Sequence, residues 1–230
     1  MSSIVRETQH NIISRELNSL VTKNFSNTET LKHKLLRIFE EDKKLDYPVF
    51  LFIKPEAISK LLYFLSGRVI RPVSIGIAGE TASGKSTFTL DFIESLETAG
   101  KKFHNDSIIT RINTDDYYYD RSDMVKEAGS FVEFAKNYDF DVPEAFELDL
   151  LKHHIGMLCS GRPVTLPKYD MSGTAIRYDN HTPALPRPVV ISEGLFNLTD
   201  TMKEAFDFCL YVQVSNKAQK ERFFRRAAER

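Results

Sequence analysis

One short segment, residues 79–86, has the residue types and the spacing of a loop that binds the phosphates of a nucleotide. Its sequence, GETASGKS, fits the pattern G-x-x-x-x-G-K-[ST]. In such a loop the glycines let backbone N–H groups approach phosphate oxygens, while the lysine reaches the β- and γ-phosphates. The hydroxyl of the last residue is suited to ligate Mg²⁺. Lys85 and Ser86 stand at these two positions, so the segment predicts nucleotide binding with a magnesium ion.

The sequence on either side of this loop supplies the strand and the helix that the motif needs. Residues 73–78 are apolar enough for a buried strand, and Gly100 ends a downstream helical pattern. The apolar side chains of that pattern are Phe88, Phe92, Ile93 and Leu96. A helix that begins at the loop would place the positive end of its dipole under the phosphates. Because strands and helices alternate from residue 73 onward, we predict an α/β fold of the P-loop NTPase type, with helices on both faces of a parallel sheet.

Acidic side chains follow two further predicted strands. Asp115 and Asp116 follow the strand predicted at 107–114, and Glu193 lies near the end of the strand predicted at 188–194. Ligands of open α/β sheets bind beyond the carboxyl ends of the strands, so these acids are candidates for a Mg²⁺ ligand or a general base. The alternative is the polar start of a loop, where Asp is common for conformational reasons. The nearby phosphate loop favours the functional interpretation.

Two later regions could complete such a site. Residues 161–186 are rich in proline and glycine, and we expect an irregular but ordered loop that binds substrate. The chain then ends in a basic helix, which is either a solvated face or a lid that closes over the transferred phosphoryl group. The arginines of that helix are Arg222, Arg225, Arg226 and Arg230.

The predicted organisation has two parts, a helical N-terminal extension at 1–70 and a P-loop kinase domain at 71–230. Within the extension, residues 49–53 are either a strand or buried coil. Within the domain, residues 123–136 are expected to form a helical insertion that turns Met124, Phe131 and Phe134 inward.

The composition limits the kinds of partner. The chain has 230 residues with 31 basic and 32 acidic side chains, a formal net charge of -1, so nothing draws it as a whole to nucleic acid or to an anionic membrane. The sequence has no apolar run of membrane-spanning length and no signal-peptide pattern. We therefore expect a cytoplasmic protein with no nucleic-acid or membrane partner, and leave a homo-oligomer open.

Together these motifs resemble those of uridine kinase, within the wider family that includes phosphoribulokinase and bacterial pantothenate kinase. The resemblance covers about residues 73–230, and its most specific part is the segment Asp-x-Pro-x-Ala-Phe at 141–146. It rests as well on Asp115-Asp116-Tyr117-Tyr118, Leu166-Pro167-Lys168-Tyr169-Asp170 and Val190-Ile191-Ser192-Glu193-Gly194. The resemblance implies transfer of the γ-phosphoryl group of ATP to a hydroxyl of a small-molecule acceptor, a nucleoside or a related polyol.

The resemblance also implies a role for each matching residue. Asp115 matches the catalytic carboxylate that takes the proton of the acceptor hydroxyl and lies near Mg²⁺. Lys85 and Arg222 are its catalytic partners. Ser86 and Glu193 match the other metal-side groups. The residues implied at the acceptor are Asp141, which would hold ribose hydroxyls, and Tyr118, Phe140, Tyr169 and Arg177, with Arg222 on the same side. Those implied at the nucleotide are Gly79, Thr81, Ala82, Ser83, Gly84, Lys85, Ser86, Thr87, Arg225 and Arg230.

The chain departs from the uridine kinase pattern at three points. The histidine that reads the pyrimidine is absent from 171–177, and the Asp-His-Pro of the family is Asp-Val-Pro at 141–143. The family pattern also continues past Arg230, so we expect a domain that is truncated or short at its C-terminal end.

Other functions therefore stay open. An N-terminal helical extension occurs in bacterial pantothenate kinases, so the acceptor of a pantothenate kinase or a phosphoribulokinase is an alternative. A non-catalytic ATP-binding regulatory protein is another. The chain has no Asn-Lys-x-Asp segment for guanine, which argues against a GTPase.

Overall fold

The computed structural model describes residues 49–53, 72–100 and 106–228. The helical extension predicted at 1–70 lies outside the described residues except for the short segment 49–53. The division into an extension and a kinase domain therefore stays a prediction.

The strands and helices predicted from residue 73 onward are present in the predicted order, together with two strands that were not predicted. The strands are β1 (Val49–Ile53), β2 (Val73–Ala78), β3 (Ile109–Asn113), β4 (Val164–Tyr169), β5 (Arg177–Ala184), β6 (Val189–Gly194) and β7 (Phe208–Val212). The α-helices are α1 (Lys85–Gly100), α2 (Ser122–Ala128), α3 (Phe131–Ala135), α4 (Leu148–Cys159) and α5 (Asn216–Ala228). Short 3-10 helices lie at Thr114–Tyr117, Pro143–Ala145 and Lys203–Ala205.

The main sheet, as far as the structure describes it, has five strands in the order β1-β7-β2-β6-β3. The strands from β7 to β3 run parallel, whereas β1 pairs with β7 in the antiparallel direction. The predicted parallel α/β sheet is confirmed for these four strands. The segment that could have been strand or buried coil is the antiparallel edge strand β1.

Both faces of the sheet are covered by helices, as predicted. Every residue of β2 and of β6 is buried. Because neighbouring residues of a strand point to opposite faces, a strand buried throughout has cover on both sides. The helix α4 contributes Leu151, Ile155 and Leu158, each fully buried in a core cluster with Ile112 and Val190 of the sheet.

The register of the parallel strands brings the chemically interesting residues to one edge. Glu193 in β6 lies beside Ile77 of β2 on one side and beside Asn113 of β3 on the other. The phosphate loop starts directly after β2, and Asp115 comes two residues after Asn113. The three segments therefore meet at the carboxyl edge of the sheet, where open α/β folds bind their ligands.

The region 161–186 is more regular than the sequence predicts. It contains an antiparallel hairpin of β4 and β5, so the expectation of an irregular loop was wrong. The sequence of β5 shows no hydrophobic alternation because six consecutive residues of this strand are exposed. Its register also shifts between Leu166 and Lys168, around Pro167, which has no N–H to donate to a ladder.

The insertion at 123–136 is helical, as expected, but in two pieces. Gly129 ends α2 in a left-handed conformation with φ 81°, and the Ser130 side chain caps α3 by accepting from Glu133 N at 3.2 Å. Phe134 is buried, whereas Met124 is 44% exposed. The prediction that Met124 points inward was wrong because α2 is a short surface helix without a buried residue.

Among the helices that the structure describes, none is both long enough and apolar enough to cross a membrane.

Candidate active site

The phosphate loop has the backbone geometry of an anion cradle. Gly84 has a φ of 90° and Ala82 a φ of 62°, and Ser83 N donates to Glu80 O at 3.1 Å. Successive residues that include left-handed conformations turn their N–H groups toward one concavity. A Cβ at Gly79 would lie 2.6 Å from Val212 O, so only glycine lets the loop leave β2 so close to β7.

The side chains that the motif assigns to the ligand are accessible. Lys85 begins α1 and is half-buried, and Ser86 beside it is exposed. Ser83 is buried, and its hydroxyl has no hydrogen-bond partner among the described residues. The N-terminus of α1 and these polar groups form the donor side of the candidate site.

Asp115 lies opposite this loop in the 3-10 helix that follows β3. Asn113 caps that helix by accepting from Asp115 N at 3.2 Å. Burial raises the pKa of Asp115; the positive charge of Lys85 opposes this shift, while the charges of Glu193, Asp116 and Asp141 add to it. Four charged groups predicted from the sequence therefore act electrostatically on the Asp115 carboxyl group at this edge of the sheet.

Buried contacts hold the 3-10 helix in position. Tyr117 is fully buried, and its hydroxyl lies 2.9 Å from His154 Nδ1 on α4. Thr114 Oγ1 donates to Asn197 Oδ1 at 2.8 Å, and Asn197 Nδ2 donates to Ile77 O at 3.3 Å. Through Asn197 the backbone at the end of β2 is linked to the helix that carries Asp115.

Glu193 is buried and is held by a neighbouring strand. Arg111 on β3 donates from Nε to Glu193 Oε1 at 2.9 Å, and Arg111 Nη2 contacts the same oxygen. The other oxygen, Oε2, is buried with no hydrogen-bond partner among the described residues. One carboxylate oxygen is thus fixed by Arg111, while the second has no hydrogen bond within the described part of the chain.

Tyr118 is the centre of an aromatic cluster on the acceptor side. Its ring centroid lies 3.9 Å from that of Phe146, 5.1 Å from Tyr169 and 5.8 Å from Phe140, and its hydroxyl donates to Phe140 O at 3.3 Å. Burial raises the pKa of Tyr118, and the charges of Asp115 and Asp141 raise it further. The structure therefore brings three predicted acceptor residues together beside both acids.

Arg177 already has carboxylate partners. Its Nη1 lies 2.8 Å from Glu147 Oε2 and its Nε lies 2.8 Å from Asp179 Oδ1. Its backbone N donates to Asp120 Oδ2 at 2.9 Å. These contacts make it a clamp between β5 and the segment after Tyr118, and its role as a substrate ligand stays a prediction.

Asp116 joins the helix that carries Asp115 to the hairpin. Its Oδ1 lies 3.0 Å from Lys168 Nζ and accepts from Tyr169 N at 3.3 Å. The strand β4 is therefore attached directly to the residue next to the candidate base.

The terminal helix α5 contacts the phosphate loop. Gln219 Nε2 donates to Thr81 O at 3.0 Å, and Arg222 Nη1 donates to Ser83 O at 3.0 Å. The structure thus places Arg222 on the donor side, whereas the resemblance implies the acceptor side. Arg225 follows on the same helix, and Arg230 lies outside the described residues.

A model of the phosphoribulokinase/uridine kinase family matches residues 74–230, well over half of the chain. The chain belongs to this family. The resemblance inferred from the motifs is therefore confirmed, and with it the assignment to the P-loop kinases, which are transferases.

Members of this family named uridine kinase are similar to the chain. It is 34% identical to one from Deinococcus deserti over 158 residues, which cover 68% of each protein. It is 35% identical to one from Clostridium perfringens over 143 residues, 62% of each, and 33% identical to one from Halobacterium salinarum over 61% of this chain and 56% of that protein. The chain thus spans between 56% and 68% of the length of these relatives.

A solved structure supports the fold. A protein from Silicibacter sp. TM1040, described as a fructose transport system kinase, matches with a TM-score of 0.57 over 74% of this chain and 79% of that chain. The two sequences are 18% identical, so this likeness bears on the fold alone. It agrees with the predicted P-loop NTPase architecture of the family.

Sequence reasoning did not identify the residues that support the site. Arg111, Asn197 and Gln219 match no motif, and each acts on a residue far away in the sequence. Lys168 lies in a motif of the resemblance, but the motif does not reveal its ion pair with Asp116. One signal was present in the sequence, since Arg111 is a charged residue between Thr110 and Ile112 in an apolar strand. A charge in such a position calls for a partner on the neighbouring strand.

Proposed function

We propose that the chain is an ATP-dependent kinase that transfers the γ-phosphoryl group to a hydroxyl of a small-molecule acceptor, a nucleoside or a related polyol. The observation that carries the proposal is Asp115, a half-buried carboxyl group whose pKa is raised by desolvation and is influenced by the charges of Lys85 in the phosphate loop and Asp141 on the acceptor side. The relatives named uridine kinase support a nucleoside as the acceptor.

The donor side fits ATP with Mg²⁺. Ser86 is exposed at the start of α1, and the buried Glu193 Oε2 has no partner among the described residues. Mg²⁺ usually takes one or two carboxylates together with phosphate oxygens and water, so Ser86, Glu193 and Asp115 are sufficient protein ligands. The described residues contain no cluster of three or more His, Cys, Asp or Glu that could hold a metal by itself. When bound, Mg²⁺ offsets negative charge on the transferring phosphates.

The chain's own residues supply the base and the positioning. Asp115 orients the acceptor hydroxyl and accepts its proton, and a raised pKa makes a carboxylate a stronger base near neutral pH. Lys85 offsets charge on the transferred group, while the loop backbone fixes the phosphates. Phosphoryl transfer asks for little covalent chemistry from the protein, so most of the rate comes from this positioning.

The proposal is tested by ADP release from Mg·ATP against uridine, cytidine, pantothenate, ribulose 5-phosphate and simple sugars. We expect at least one of these acceptors to stimulate ADP release well above the rate with ATP alone. Bound ATP without stimulation by any acceptor would contradict the proposal and favour a regulatory ATP-binding protein.

A further inference from the structure

A half-buried arginine with no acidic partner among the described residues lies at the acceptor side. The Arg121 guanidinium carbon is 5.1 Å from the ring centroid of Tyr119 and 5.8 Å from that of Tyr138. Its Nε donates to Tyr138 OH at 3.3 Å. No carboxylate of the described residues forms an ion pair with Arg121, so its two terminal nitrogens can donate to a ligand.

The backbone places Arg121 beside the acceptor cluster. Arg121 N donates to Ala175 O at 3.0 Å, and Asp170 N donates to Ile176 O at 2.9 Å, so Arg121 adjoins the turn that begins after Tyr169. The ring of Tyr138, its hydrogen-bond partner, lies 4.8 Å from that of Phe140. Arg121 is therefore connected from two sides to the rings around Tyr118.

A second polar group at the same place, the Tyr169 hydroxyl, has no hydrogen-bond partner in the described part of the chain. Tyr169 is 4% exposed, and its buried hydroxyl has no hydrogen-bond partner among the described residues. Burial, followed by the nearby Tyr138 and Asp120, raises the pKa of Tyr169 to about 12, and Arg121 opposes this rise. The phenol is thus protonated and able to donate, and the Arg121 charge acts on it.

The two other cations next to the cluster, Lys168 and Arg177, are already paired with carboxylates. Lys168 lies 3.0 Å from Asp116, and Arg177 lies 2.8 Å from Glu147. The carboxylate of Asp120 accepts from Ser122 N and from Arg177 N, each at 2.9 Å. The Arg121 guanidinium is the cation left over in this set, and a partly buried charge without a counter-charge is unfavourable.

We propose that Arg121 and the Tyr169 hydroxyl bind an oxyanion of the phosphate acceptor, a carboxylate or a phosphate. The guanidinium can only donate and the protonated phenol can donate, and an oxyanion has the lone pairs and the charge to satisfy both. A neutral carbonyl would accept the hydrogen bonds but leave the guanidinium charge uncompensated. This inference rests on the proposed function and narrows its acceptor to a hydroxyl compound that carries a negative group.

The test uses pairs of acceptors that differ only in the charged group: pantothenate with pantothenol, glycerate with glycerol, and ribulose 5-phosphate with ribulose. Uridine is the neutral nucleoside reference. For at least one pair we expect kcat/KM of the charged member to exceed that of its neutral partner, and that of uridine, by about a hundredfold, the size expected for one charge-assisted contact. The pantothenate and glycerate pairs test a carboxylate as the bound group, and the ribulose 5-phosphate pair tests a phosphate.

Variants then show whether Arg121 is responsible. Arg121→Met should remove about a hundredfold in kcat/KM for the charged acceptor, mainly through KM, and Arg121→Lys should restore part of it. Tyr169→Phe, which keeps the ring, should cost about tenfold for the same acceptor. Arg162→Met, at an exposed arginine before β4, is the matched control and should leave the preference for charged acceptors unchanged.

Two results would overturn this inference while the kinase activity stands. One is turnover of uridine or of the neutral members as efficient as that of the charged ones. The other is a charge preference that Arg121→Met does not alter. If no acceptor stimulates ADP release, the proposed function fails, and calorimetry with the same pairs then tests whether the oxyanion subsite exists. Binding of a charged compound that Arg121→Met abolishes would support the subsite. No binding of any charged compound would overturn it.

Discussion

Asp115 is held where its charged form is unfavourable. Burial, together with the neighbouring carboxylates, raises its pKa above the ordinary value of 3.8, although Lys85 acts in the opposite direction. The folded state therefore binds the Asp115 proton more tightly than the unfolded chain does. Stability is lost as pH rises from the unfolded value through the raised one, so ionised Asp115 destabilises the fold at neutral pH. A carboxylate whose ionised form destabilises the fold is common at functional sites, where activity needs that form.

Replacing this charge should separate catalysis from stability. We expect Asp115→Asn to lower phosphoryl transfer by about 10²–10⁴-fold, the range of a lost general base, while ATP still binds. The same variant should unfold at a higher temperature than the parent at neutral pH. Acceptor-dependent ADP release, nucleotide titration and thermal unfolding measure the three effects.

Asp200→Asn is the matched control for that variant. Asp200 is an exposed aspartate whose carboxylate accepts from Lys203 Nζ at 2.6 Å. The Asp200→Asn variant should leave the rate of phosphoryl transfer unchanged and should not raise the unfolding temperature. Near-normal turnover in Asp115→Asn would show that another group takes the proton.

The pH dependence of the reaction should follow Asp115. If Asp115 is the base, as proposed, activity requires its ionised form, and kcat/KM should fall as pH drops through the raised pKa. Glu193→Gln removes a negative charge that raises this pKa and leaves the positive Arg111 nearby. In a plot of normalised kcat/KM against pH, the acidic limb of the Glu193→Gln variant should therefore lie at lower pH than that of the parent, even if its maximal rate is lower. An unchanged limb, or one displaced to higher pH, would contradict the assignment of the base.

At the scale of elements, α5 is attached to the phosphate loop by two side chains that donate to loop carbonyls, from Gln219 to Thr81 O and from Arg222 to Ser83 O. The loop's N–H groups are the ones that a phosphate needs, so these contacts support the cradle without occupying it. One such hydrogen bond contributes about 1 kcal/mol.

Gln219→Ala should therefore weaken ATP binding by about three- to tenfold, a loss comparable to one hydrogen bond. Amide hydrogen exchange in the loop should rise in the same variant. Gln213→Ala, at an exposed glutamine between β7 and α5, serves as the comparison and should alter neither quantity. Equal nucleotide affinity in Gln219→Ala and in the parent would mean that α5 does not support the loop.

The elements show which patterns a sequence can reveal. β2 and its loop were predictable because an apolar strand, a glycine-rich turn and a helical period follow one another without interruption. The hairpin of β4 and β5 was not, because most of β5 is exposed and its pairing depends on a register shift at Pro167. Polar strands on a surface lack the alternation on which such predictions rest.

At the scale of the whole molecule, the site is assembled from the ends of strands that lie far apart in sequence. The loop, Asp115 and Glu193 were predictable together because parallel strands present their carboxyl ends at one edge. The contacts that hold these residues in place were not predictable, since Arg111 reaches Glu193 only because β3 pairs with β6. Arg121 was also missed, because its proposed role rests on the absence of a carboxylate partner within the described residues, which a sequence pattern does not show.

The bridge from Asp116 to β4 has a kinetic consequence. The hairpin carries Tyr169, while the 3-10 helix carries Asp115, and Asp116 joins the two through Lys168 and the Tyr169 backbone. An acceptor that displaces the hairpin should therefore also displace the proposed base. A compound that fills the pocket but shifts the hairpin should then lower kcat, in addition to any effect on KM, and should compete with the true acceptor.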